Sequence, residues 1–185
     1  MARAQVFLIV SGLVMVGCGA QKPASAETVA PNAQASSDRT SPASTYEPPP
    51  LPTDTPAFKA FGLTGPDKPW DEMSYDEKEW YMVGKVHPVM REIFQTFDEA
   101  KYAGEKFECV PCHDDDPKRK YKMPNPKLSA VPGFGSEDWK AMENARIVKF
   151  MAHRISPSMA QLLGKPSFDP ATGVGFSCTG CHPKQ

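Results

Sequence analysis

The chain has 185 residues, of which 20 are Pro, 13 Gly and 5 Cys, and its 21 basic side chains nearly balance 22 acidic ones. A net charge of -1 offers none of the clustered positive field that nucleic acid requires. The length suits one domain with a tail and excludes a large multidomain enzyme, while Pro at roughly twice the average usage marks part of the chain as unpacked.

In chain order, Arg3 precedes an apolar run from Val6 to Val16, broken by Ser11 and Gly12. A positive start and an apolar stretch shorter than a membrane span read as a secretory signal over residues 1–17. Met15-Val16-Gly17-Cys18 resembles a bacterial lipobox, with Met15 where Leu is usual, and this resemblance implies lipidation of Cys18. Cleavage near Ala20 or Ala26 is the alternative. Residues 18–56 form a Pro/Ala/Ser-rich segment whose single aromatic is Tyr46. So little apolar bulk cannot offset the entropy of ordering the backbone, and a disordered or extended tether is expected, spanning roughly 30–40 Å. The domain proper is expected over 57–185.

Ser74-Tyr75-Asp76-Glu77 has the form of a capping box and predicts a helix over about 75–87, with apolar residues from Trp80 and Met82 to Val86. Ser136-Glu137-Asp138 opens a second helix that runs through Trp139, Phe150 and Met151 to Ile155. Pro88 and Pro157 each suit the first position of a new turn, with His87 and Ser156 as caps. Pro124, Pro126, Pro132 and Gly133 make 114–135 a loop.

With Cys18 set aside, the cysteines fall as Cys109-Val110-Pro111-Cys112-His113 and Cys178-Thr179-Gly180-Cys181-His182. CxxCH is the attachment pattern for a c-type haem, in which two thiols bond the vinyl groups and the adjacent histidine supplies an axial nitrogen. A four-thiolate zinc site would need neither histidine, and a thioredoxin-like pair would want a helix after it, whereas three residues follow His182. Two covalently attached haem c groups are therefore expected, held by Cys109, Cys112, Cys178 and Cys181, with His113 and His182 as iron ligands.

Residues 81–113 align without a gap over 150–182, at a constant spacing of 69 positions. Identities include Met82 with Met151, Pro88 with Pro157, Met90 with Met159, Gly104 with Gly173 and Phe107 with Phe176. One haem module used twice is the simplest reading, with modules at about 74–113 and 136–182. The second iron must then find its distal ligand upstream of the motif. Met90 and Met159, just inside the turns that Pro88 and Pro157 open, are preferred; Met82 and Met151 are the alternatives. Met123, beside Pro124, has no counterpart in the second module. His87 and His153 do not occupy equivalent positions, so His87 reads as a cap and His153 as a surface residue, with bis-histidine ligation the alternative. Trp70, Trp80 and Trp139 read as core or haem-packing residues. The run Asp114 to Lys120 reads as a solvated loop, unless one of its cations or Tyr121 bonds a haem propionate.

A methionine-bearing helix followed by CxxCH, repeated in a lipoprotein, resembles the multihaem cytochrome c subunit of photosynthetic reaction centres. Ala145-Arg146-Ile147-Val148-Lys149-Phe150-Met151 and Thr172-Gly173-Val174 are similar to stretches of that family. The resemblance covers about 81–113 and 136–182 and implies helical packing, His/Met ligation and electron transfer. This chain differs in having two motifs rather than four and a longer stretch between methionine and cysteine.

The expected fold is mainly α, two helix-plus-CxxCH modules with long loops behind a disordered tether. No constellation for nucleophilic or acid–base catalysis accompanies the ligands. An electron carrier is expected, lipid-anchored on the periplasmic side of a bacterial membrane, alone or as a subunit of a larger oxidoreductase. It would exchange electrons with redox protein partners. The alternative is a haem enzyme or sensor with one open iron, peroxidase-like or resembling cytochrome c prime.

Overall fold

Residues 46–185, apart from position 117, are described by a computed structural model. They are mainly α-helical, and the extended pairings among them are isolated bridges. The expected signal over residues 1–17, Cys18 and the expected tether up to residue 45 lie outside the described residues. No helix among the described residues is long and apolar enough to cross a membrane.

The segment from Tyr46 to Thr55, expected to continue the tether, is docked instead. Arg154 donates to Pro48 O at 2.7 Å and to Pro49 O at 2.5 Å, and the Tyr46 ring meets Phe97 edge-on at 6.4 Å. A proline run carries carbonyls without N–H groups, so a cation can satisfy it where a ladder could not. Glu92, buried in the core, then accepts from Thr55 Oγ1 at 2.5 Å and from the N–H groups of Ala57 and Phe58 at 2.8 and 3.0 Å. These are the orphan donors at the start of α1 (Pro56–Phe61), so one buried carboxylate fixes where the helical chain begins.

The capping box forms as expected: Glu77 N donates to Ser74 Oγ at 3.2 Å and Ser74 N to Glu77 Oε2 at 2.6 Å, opening α2 (Tyr75–Tyr81). The helix does not stop before Pro88. His87 and Ser156, expected as caps, have helical backbone (φ -58, ψ -52 and φ -59, ψ -47), and their N–H groups bond Met82 O and Met151 O, five positions back. Met82–Val86 and Met151–Ile155 are thus π-helical turns. The reason lies in the prolines, because an α-helical Pro loses one bond and drives its ring into a carbonyl four positions earlier; a widened turn relieves that collision and keeps the chain helical. The first π turn feeds α3 (His87–Phe97), followed by α4 (Glu99–Tyr102) and α5 (Val110–His113).

The second expected helix is broken in two, α6 (Glu137–Met142) and α7 (Arg146–Phe150), by an extended Ala145 (φ -64, ψ 140). In a straight helix Trp139 and Phe150 would share a face. The break lets Trp139 pack on Phe134 at 5.3 Å while Phe150 enters the main core. The second π turn then feeds α8 (Ser156–Leu162).

The core unites the two halves through aromatic rings. Phe94 lies 5.7 Å from Phe150 and 5.2 Å from Phe107, and Phe97 lies 4.7 Å from Phe150. Val86, Val89, Met90, Ile93 and Leu162 are buried with them. Across the same boundary Tyr81 OH donates to Leu162 O at 2.7 Å, and Arg146 stacks 4.0 Å over Phe97. Of the three tryptophans, Trp139 is buried but Trp80 is 74% exposed and takes no part in the core, because Tyr81 is the residue that α2 turns toward Leu162.

Candidate functional site

Both CxxCH segments close into the same turn. In the first, Cys112 N and His113 N donate to Cys109 O at 3.1 and 3.0 Å; in the second, Cys181 N and His182 N donate to Cys178 O at 3.1 and 2.8 Å. One carbonyl that collects both donors brings the two cysteines of each motif onto one turn, with the histidine directly after. Gly104 and Gly173, ahead of the two motifs at matching positions, both take left-handed backbone (φ 58 and 71) that a side chain would strain. Gly180 has a steric reason, since a Cβ there would lie 2.7 Å from the Phe176 ring.

The histidines are oriented alike. His113 Nδ1 lies 3.0 Å from Tyr121 O, and His182 Nδ1 lies 2.9 Å from Ser129 O. A carbonyl only accepts, so each bond requires the proton on Nδ1 and leaves the Nε2 lone pair available to a metal. Burial also pushes the His113 pKa down, favouring the neutral ring. The four motif cysteines are free thiols. Burial raises Cys112 and Cys178, and it pushes Cys181 up to about 12 with the help of charge at Cys112 and Cys178. Thiols held protonated in this way, at Cys112, Cys178 and Cys181, are poor nucleophiles. Among the described residues no three His, Cys, Asp or Glu side chains gather as a metal cluster.

The loop between the motifs holds both of them, and the run Asp114 to Lys120 within it, expected to be solvated, is anchored at its first residue. Asp114 is buried beside His113, with Arg119 Nε 2.9 Å from its Oδ2, and Arg119 Nη2 donates to Lys122 O and Pro124 O at 2.8 and 2.7 Å. Asn125 donates from its backbone to Cys181 O at 2.9 Å and from Nδ2 to Cys112 O at 3.1 Å. Val131 N donates to Pro183 O at 2.9 Å, and Gln185 N donates to Val131 O at 3.1 Å. Nothing in the sequence singles out Asn125 beyond its place between two prolines.

The methionines differ in burial. Met90 is 5% exposed inside the core cluster, whereas Met82, Met151 and Met159 are half-buried at its edge. Met82 and Met151 begin the two π turns. His87 Nε2 lies 2.7 Å from Phe107 O, and His153 is exposed.

Several large apolar side chains face solvent, among them Tyr75, Val83, Val110, Tyr121, Phe134 and Val174. Val110 belongs to the first motif, Tyr121 carries the carbonyl that orients His113, and Lys120 lies 5.7 Å over the Tyr75 ring. A groove of about 300 Å³ beside Phe134 is lined by Trp139, Val148, Ala152 and His153. No family model matches this chain, and no curated protein or solved structure matches it.

Proposed function

We propose that this chain is a di-haem c-type cytochrome that carries electrons between redox proteins, tethered through a lipid on Cys18 to the periplasmic side of a bacterial membrane. The observation that carries the reading is the shared geometry of the two CxxCH turns, each ending in a histidine whose Nδ1 faces a carbonyl and whose Nε2 is left for iron. The residues present fit the group: paired free thiols, an imidazole at His113 that burial pushes toward the neutral form, and the exposed apolar side chains of Val110 and Tyr121 at the first motif, which a porphyrin would cover. When bound, haem supplies reversible one-electron chemistry, which needs no acid, base or nucleophile from the protein.

In this reading Cys109, Cys112, Cys178 and Cys181 would hold the two cofactors as thioethers, Tyr121 O and Ser129 O would orient His113 and His182 as iron ligands, and a methionine upstream of each motif would supply a further ligand. Two methionine pairs compete for that place. Met90 and Met159 lie one turn past the π turns, but Met90 is packed like a core gap filler. Met82 and Met151 are half-buried and start π turns, which are frequent at functional sites, and these facts weigh toward them. Either pair gives His/Met coordination and potentials on the positive side. Optical spectra test the assignment. A weak ferric band at the red end of the visible spectrum marks thioether ligation; its absence, with strongly negative potentials at both irons, marks a second histidine instead.

A further inference from the structure

Asn125 is 2% exposed and sits between the two CxxCH motifs, which lie far apart in sequence. Its backbone N–H holds Cys181 O at 2.9 Å and its Nδ2 holds Cys112 O at 3.1 Å. Two such bonds on one residue keep those carbonyls within roughly 10 Å of each other. The rest of the side chain is used as well, since Oδ1 accepts from Lys127 N at 2.8 Å. Four residues to either side the same loop orients the proximal histidines, through Tyr121 O and Ser129 O. One short stretch, 121–131, therefore positions both attachment sites.

We infer that Asn125 is a positioning residue that sets the spacing between the two haem sites and thereby the coupling between them. The inference rests on the di-haem reading. A charge gained at one site is felt at the other in inverse proportion to distance and local dielectric, and magnetic coupling falls off more steeply still. Loss of the Nδ2 bond frees the Cys112 turn from the Cys181 turn. Both motifs keep their own internal bonds, so each site persists while the relation between them loosens.

The test is electron paramagnetic resonance of the full chain, fully oxidised and half-reduced, with haem content measured on the same samples. Asn125→Ser keeps the backbone bond to Cys181 and a short hydroxyl for Lys127 N, and removes only the reach to Cys112. Wild type should give a ferric spectrum broadened by interaction, different from the sum of two isolated low-spin haems; Asn125→Ser, still carrying two haems, should move toward that sum. Asn125→Asp, which keeps the shape and the acceptor but lacks the donor, should do the same. A wild-type spectrum that is already a simple sum overturns the inference, as does an unchanged spectrum in both variants. Variants that lose a haem would make Asn125 an attachment residue and likewise overturn it. Fewer than two haems in the wild type would sink the di-haem reading itself, a distinct outcome.

Discussion

His87 and Ser156 stand at the same place in the two halves of the chain and reach for the same target: His87 Nε2 lies 2.7 Å from Phe107 O, and Ser156 Oγ donates to Phe176 O at 3.3 Å. Both sit at the end of a π turn, and both tie that turn to the segment leading into a CxxCH. An imidazole whose Nε2–H is given to a carbonyl does not present that nitrogen to iron. His87→Ser, copying the second half, should therefore leave stability and spectra near wild type, whereas His87→Ala should cost about 1 kcal/mol, the net worth of one hydrogen bond. Chemical denaturation measures this; loss of a low-spin haem signal in either variant would instead make His87 a ligand.

The distal ligands are assigned by substitution. If Met82 and Met151 close the irons, Met82→Ala should open only the first site and Met151→Ala only the second, each giving a high-spin signal from one iron and fast carbon monoxide binding there. Met90→Ala should then cost packing alone, about 2–5 kcal/mol for a buried methionine. The converse pattern assigns Met90 and Met159.

Phe150 joins the halves, in contact with Phe94 and Phe97 and fully buried. Phe150→Ala should destabilise the fold by about 3–5 kcal/mol. Thermal melting of the holoprotein reports it, and a loss under 1 kcal/mol would contradict this core.

Local chemistry was legible in the residues, and tertiary partners were not. The box at Ser74 and Glu77 and the cap at Ser136 are short-range and formed where the sequence places them. The prolines at 88 and 157 signal a disturbance, but whether a helix ends or widens depends on packing beyond it, here of Val86 and Ile155 into the core. Residues 46–55 look like tether because their partners are distant in sequence: Pro48 and Pro49 meet Arg154, more than a hundred positions away, and Thr55 meets Glu92. Asn125 was invisible for the same reason: a Pro-Asn-Pro turn does not disclose that Cys112 and Cys181 meet across it.

The Glu77 carboxyl carries a pH dependence. Bonds from the Ser74 backbone, then from Lys68 and the Ser74 hydroxyl, hold its pKa at about 2, below the ordinary 4.5. A depressed folded value means stabilisation fully present above pH 4.5 and lost as pH falls toward 2. Comparison of Glu77→Gln with wild type across that window should show a melting difference at neutral pH that shrinks on acidification; a difference independent of pH would contradict the charged box.

Cys18→Ser should move the protein from the membrane to the soluble periplasmic fraction. A wild-type protein already soluble after export would contradict lipid anchoring.

The central claim is two haems on one chain, and a pyridine haemochrome assay with protein quantitation on the exported full chain tests it most directly. Two haems per chain are predicted, falling to one in Cys178→Ser/Cys181→Ser and to none when Cys109 and Cys112 are replaced as well. One haem in the wild type, or zinc in place of haem, would contradict the account.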